Sequence, residues 1–128
     1  MEKIKKFTDL VVWQEGHKLV ILIYDITKKF PKEERYSLTD QMRRAATSVT
    51  SNIAEGFGRQ GYKEKIQFYH LALGSLTELE NQIFIARDVM YLNSSDFEIL
   101  MNKASDAHRL LNGIIKKSKE YLNLKSKL

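Results

Sequence analysis

The chain has 128 residues, of which 43% are hydrophobic and 29% charged, with one proline and no cysteine. That is the length and balance of a single soluble domain able to bury a core without staples. The absence of cysteine excludes disulfides, thiol catalysis and Cys-based metal sites. The longest wholly apolar run, Leu19 to Tyr24, falls far short of the ~20 residues that span a bilayer. Residues Met1–Phe7 are charged and no apolar signal segment follows. The expectation is a cytoplasmic protein with no membrane partner.

Apolar residues recur at 3-4 spacing almost throughout, and no segment of useful length alternates with period 2, so helices are predicted and strands are not. The first helix is placed at about 9–30, on the stripe Val12, Gly16, Leu19, Ile23, Ile26 and Phe30. Pro31 ends it, because the residue before proline is pushed out of helical geometry. The second is placed at about 38–56, on Leu38, Met42, Ala45, Val49 and Ile53. Ser37 or Thr39 can cap its start, and Gly56 and Gly58 suit a left-handed conformation after its end. The third runs over about 62–91, from a Gly61 cap along Tyr69, Ala72, Leu76, Leu79, Ile83, Ala86 and Met90. Asn93-Ser94-Ser95 breaks the pattern, and Ser95 with Glu98 forms a capping box. The fourth helix then covers about 96–122, on Phe97, Leu100, Ala104, Ala107, Leu111, Ile114, Ser118 and Tyr121, with Ser118 the polar member. Short connections favour antiparallel neighbours. The predicted fold is all-α, one antiparallel up-down-up-down four-helix bundle over residues 1–128.

The net charge of +5 sits at the two ends of the chain. Lys3, Lys5 and Lys6 against Glu2 give +2; Lys116, Lys117, Lys119, Lys125 and Lys127 against Glu120 give +4; residues 7–115 carry −1. The bundle topology brings both termini and the turn between helices two and three to one end. That end also receives Arg59, Lys63 and Lys65 against Glu64. The opposite end holds Lys32, Glu33, Glu34, Arg35, Asp96 and Glu98. One pole of the molecule should therefore be basic, which suits a polyanionic partner. Solvated tails are the plainer reading of the same residues.

The first helix is apolar around its circumference at Leu19, Val20, Ile21, Leu22, Ile23 and Tyr24. A surface helix of a monomeric bundle needs one stripe only. A second buried face is expected, and Leu19, Val20, Ile21, Leu22 and Tyr24 are the candidate self-association surface.

Little points to catalysis. Gly56-Phe57-Gly58-Arg59-Gln60-Gly61 matches GxGxxG in letters, but a helix precedes it where a dinucleotide fold needs a strand. Amides at the start of the third helix, beside Arg59 and Lys63, could still suit a phosphate oxygen. His70 and His108 lack a glutamate three residues earlier, where Gln67 and Ser105 stand, and His17 has Gln14. No metal site and no cofactor are expected. Glu78 and Glu80, two apart on a helix, point to different faces and make no acid–base pair. Arg43 and Arg44 open a stretch of small residues that reads as a tight helix–helix contact with structural ion pairs. No basic platform interleaved with aromatics is visible. A non-enzyme is predicted.

Several segments recur in a familiar order: Phe7-Thr8-Asp9-Leu10-Val11-Val12-Trp13-Gln14, Phe30-Pro31, Gln41-Met42-Arg43-Arg44-Ala45-Ala46, Ser51-Asn52-Ile53-Ala54-Glu55-Gly56-Phe57-Gly58-Arg59 and Gly74-Ser75-Leu76-Thr77-Glu78-Leu79-Glu80. The series resembles the four-helix-bundle family of 23S rRNA intervening-sequence proteins, from about Phe7 to Tyr121. The resemblance implies a bacterial, ring-shaped homo-oligomer, a pentamer, with no catalytic residues. The family is also similar to the accessory variability proteins of diversity-generating retroelements, which engage nucleic acid and a reverse transcriptase through basic surfaces. Ser37 stands where the family usually has glycine, and Thr50 where it usually has proline; both touch helix boundaries or bends.

The leading expectation is an oligomeric, non-catalytic bundle that binds RNA, such as rRNA, through Arg59, Lys63, Lys65, Lys116, Lys117 and Lys119. Its phosphate contacts would tolerate sequence and depend steeply on salt. The alternative is an interaction scaffold for a partner protein, such as a reverse transcriptase or a ribosomal factor.

Overall fold

The computed structural model describes residues 3–126. Four helices carry it: α1 Val11–Thr27, α2 Leu38–Gly58, α3 Tyr62–Asp88 and α4 Ser94–Ser126, with short 3₁₀ turns at Phe7–Asp9 and Lys32–Glu34. No strand occurs among the described residues. Each helix packs on its neighbours in chain order and α4 closes back onto α1. The side-chain pairs give the directions. Gly16 meets Thr50 and Ile53 while Thr27 meets Arg43. Ser48 bonds Ser75 at 2.8 Å while Gly56 abuts Tyr69. Tyr62 stacks on Tyr121 while Phe84 meets Phe97. Glu15 pairs with Lys103 while Lys29 pairs with Asp96. Every adjacent pair of helices therefore runs antiparallel.

The predicted stripes form most of the core; Met90 and Tyr121 are exposed, and Phe97 and Ile114 are only half-buried. Leu19, Ile23, Met42, Ile53, Leu76, Leu79, Ile83, Leu100 and Leu111 are fully buried. Met90, expected to extend the third stripe, is 87% exposed. It lies beyond the helix in the left-handed conformation, with φ of 70°. Its amide donates to Arg87 O at 3.0 Å and the Tyr91 amide to Ala86 O at 2.8 Å, the paired bonds that close a helix C-terminus. In α4, Ile115 is buried and Ile114 only half-buried. A strict 3.5-residue repeat drifts by ~20° per heptad against a 3.6-residue helix, and the stripe has slipped by one residue there.

The boundaries move for local reasons. α1 begins after a 3₁₀ turn, because the Asp9 carboxylate accepts from the Lys5 and Lys6 amides at 2.9 and 3.0 Å. These bonds hold the Asp9 carboxyl below its usual range. α1 stops at Thr27, whose hydroxyl donates to Ile23 O at 2.6 Å. Ser37 makes no capping bond; the Glu34 carboxylate takes the Leu38 amide instead, at 3.2 Å. The cap of α4 is Asn93, not Ser95: its Oδ1 accepts from the Asp96 amide at 2.7 Å, so the helix starts earlier than predicted. Neither Gly56 nor Gly58 is left-handed; both lie inside α2, which ends at an extended Arg59. Gly56 is required for space, since a Cβ there would stand 2.7 Å from Tyr69 Cε1.

Candidate nucleic-acid interface

The antiparallel order brings the N-terminal segment, the α2–α3 turn and the C-terminal half of α4 together. Ile4, Leu10, Phe57, Tyr62, Ile114 and Lys117 line one pocket between them. The candidate cations at this pole divide into three groups.

Two of them are engaged in holding the turn. Arg59 bonds Glu55 at 3.0 Å, lies 4.0 Å from Glu64, and sits 4.6 Å over the Phe68 ring. Its planar fork thus bridges the end of α2 and the start of α3. Lys65 donates to Phe57 O at 2.6 Å and reaches Gly56 O at 3.5 Å. It caps carbonyls at the C-terminus of α2, where a cation complements the helix dipole. Burial lowers its ammonium pKa. Arg59 and Lys65, expected as phosphate contacts, thus also close the short turn and already hold partners within it.

Lys63, Lys116 and Lys119 are exposed. Lys116 and Lys119 share a shallow groove between α3 and α4 with His70, Asn112, Glu120 and Asn123. Lys117 belongs elsewhere. One residue turns a helix by ~100°, and Lys117 faces the pocket shared with Ile4 and Leu10. The three candidate cations at 116, 117 and 119 are therefore split over two sides of α4.

Sequence reasoning missed the aromatic residues at this pole. The Tyr62 and Tyr121 rings stack with centroids 5.2 Å apart. Lys117 Nζ lies 6.0 Å above the Tyr121 ring and Lys125 Nζ 5.7 Å above Tyr62. A small aromatic and cationic surface thus exists where none was expected, because its members are far apart in the chain. Ser118 was the available signal: a polar residue in an apolar stripe, 4% exposed and lining the same pocket.

The remaining candidates sit away from the pole. Leu19 and Val20 are buried in the core, so they are removed from the self-association surface; Ile21 is 55% and Tyr24 40% exposed, and Leu22 is half-buried. His17 stacks on Trp13 with centroids 4.7 Å apart, in line with Ile21 and Tyr24 on the outer ridge of α1. Arg43 donates to the Thr27 hydroxyl at 3.0 Å and covers the Tyr24 ring at 4.7 Å, while Arg44 pairs with Asp40 at 2.9 Å. Arg43 thus ties α2 to α1, while Arg44 makes an exposed pair within α2. His108 Nδ1 lies 3.2 Å from Glu80. At the opposite end the Tyr91 hydroxyl donates to Glu34 at 3.1 Å, which raises the phenol pKa.

The family model of the 23S rRNA-intervening sequence proteins matches residues 8–113. The chain belongs to this family. Its fold is also that of a crystal structure described as a protein of unknown function from the S23 ribosomal protein family, from Bacteroides thetaiotaomicron. The TM-score is 0.78 at 24% identity, covering 85% of this chain and 98% of that one. At that identity the likeness concerns fold alone. No curated protein matches the chain. The family match ends before Lys116, so Lys116, Lys117 and Lys119 lie outside it. No helix among the described residues is long and apolar enough to cross a membrane.

Proposed function

We propose that this chain is a non-catalytic, self-associating bundle that binds structured RNA through its basic pole. The observation that carries the reading is the convergence of both chain ends with the α2–α3 turn, which leaves Lys63, Lys116 and Lys119 exposed on one end of the molecule. The family's name, which ties it to an intervening sequence of 23S rRNA, supports rRNA as the class of partner. Point cations on long stems favour phosphate contacts, which position the protein without reading sequence. The exposed ridge of Ile21 and Tyr24 supports the self-association reading, and the family resemblance supports a pentameric ring.

The test is a titration of nuclease-treated protein against structured RNA, duplex DNA and an unrelated RNA at low and physiological salt. Lys116→Glu with Lys119→Glu is expected to weaken all RNA binding. It should also flatten the log–log salt slope by about 2, one for each lost phosphate contact. Arg59→Gln should change affinity little, because that guanidinium is already paired. Unchanged affinity in the double variant overturns the reading. Ile21→Glu is expected to lower the mass seen by light scattering.

The exposed ridge also favours a second reading, a scaffold for a partner protein. It predicts a partner recovered equally with and without nuclease, and little RNA affinity at physiological salt.

A further inference from the structure

We propose that the pocket between the N-terminal segment, the α2–α3 turn and α4 receives one unpaired nucleobase of the bound RNA together with its phosphate. The proposal rests on the RNA-binding reading and names what the pole recognises.

The pocket has a volume of about 380 Å³, within the usual range of about 300–1,000 Å³ for small-ligand sites. Four of its lining residues are aromatic: Phe57, Tyr62, Tyr69 and Tyr121. The Tyr62 and Tyr121 rings, stacked on each other at 27°, form part of its wall. Every base has a π-face, so an outer face of this tyrosine stack suits an unpaired base of any identity.

Two hydroxyls of buried residues give this wall a polar complement. Tyr69 is 2% and Ser118 4% exposed, and both line the pocket. Neither hydroxyl bonds any described residue. Neither oxygen is a sealed, unsatisfied atom, as Gln82 Oε1 is, so both hydroxyls are open to the pocket and can meet a ligand with polar edges. Each can donate or accept, which matches the mixed edge of a base.

The charge points the same way. Lys65 and Lys117 line the pocket, and no carboxylate among the described residues does. Lys65 donates to Phe57 O at 2.6 Å and Gly56 O at 3.5 Å, which leaves its third N–H to offer. A purely apolar ligand would use neither the two hydroxyls nor the remaining ammonium donors that border the pocket. A nucleotide meets all of them.

The test uses an RNA hairpin carrying 2-aminopurine in its loop, and a blunt RNA duplex of equal length. Wild-type protein is expected to quench the loop fluorophore and to prefer the hairpin. Tyr121→Ala, at a half-exposed position, should abolish quenching and weaken hairpin binding about tenfold, the usual loss for one stacked base. It should leave duplex binding unchanged, and circular dichroism checks that it folds. Lys116→Glu with Lys119→Glu, outside the pocket, should weaken both RNAs. Hairpin binding without quenching, or equal losses on hairpin and duplex in Tyr121→Ala, overturns the pocket and leaves the RNA reading intact. A second arm titrates adenosine 5′-monophosphate, adenosine and inorganic phosphate while following the tyrosine ring resonances. If no RNA binds, ring shifts that are larger for the monophosphate than for either part keep the pocket and remove the RNA reading. Shifts no larger than those with phosphate alone overturn the pocket.

Discussion

The ring of Tyr69 fills the space that a side chain on Gly56 would need. A Cβ built at Gly56 stands 2.7 Å from Tyr69 Cε1 and 3.0 Å from Phe68 Cβ. Tyr69 is itself buried, so the ring cannot swing away. The absence of a side chain on α2 is what lets α3 approach and what fixes one wall of the pocket.

Gly56→Ala should therefore destabilise the protein, by about 1–3 kcal/mol, the usual cost of overpacking a filled site. This runs against helix propensity, which favours alanine over glycine by about 1 kcal/mol. Gly74 supplies the contrast. It lies inside α3, exposed, and a methyl group added there would meet nothing within 4 Å, so Gly74→Ala should stabilise by about 1 kcal/mol. Urea unfolding of the two variants beside the parent chain decides it; equal shifts in the same direction would refute the steric argument.

Met90 offers a second substitution of definite sign. A left-handed residue with a Cβ costs about 1 kcal/mol relative to glycine, and the Met90 side chain is 87% exposed, so truncation loses little packing. The bonds of this turn, from the Met90 and Tyr91 amides to Arg87 O and Ala86 O, are made by the backbone and survive the change. Met90→Gly is expected to raise stability by about 0.5–1 kcal/mol, less the greater freedom of glycine in the unfolded chain. A lower thermal midpoint would show that Met90 contributes packing after all.

Much of this fold is legible in the sequence because burial writes a period. Leu76, Leu79 and Ile83 announce the inner face of α3 without any tertiary knowledge. The ends of helices are less legible, since Asn93 caps α4 and Glu34 caps α2 through side chains that several nearby residues could equally have supplied. The pole is legible as charge but not as chemistry. Whether Lys65 meets a phosphate or the carbonyl of Phe57 depends on how tightly the α2–α3 turn closes, and composition says nothing of that. The Tyr62–Tyr121 pair joins the first turn of α3 to the far part of α4, a contact that exists only once the bundle is assembled. Helix α1 is ambiguous for a different reason. Six consecutive apolar residues cannot all face inward, and periodicity alone does not say which of Val20 and Ile21 turns out.

Tyr69 links stability to alkaline pH. Burial, helped by the neighbouring Tyr62 phenol, pushes its pKa up to about 12 from an ordinary value of 10.0. The folded state thus holds the phenolic proton more tightly than the unfolded chain does. Where the native state binds more protons, stability falls as pH rises. The contribution is fully present below pH about 10 and is lost progressively from there to about 12. Tyr69→Phe keeps the ring against Gly56 and removes the titrating group. Since the hydroxyl bonds no described residue, the variant should match or exceed the parent at neutral pH, and its unfolding midpoint in urea should fall less between pH 10 and 12. Parallel losses in both proteins would place the alkaline sensitivity at other groups, with Tyr91 the next candidate, because its phenol pKa is raised by the Glu34 bond.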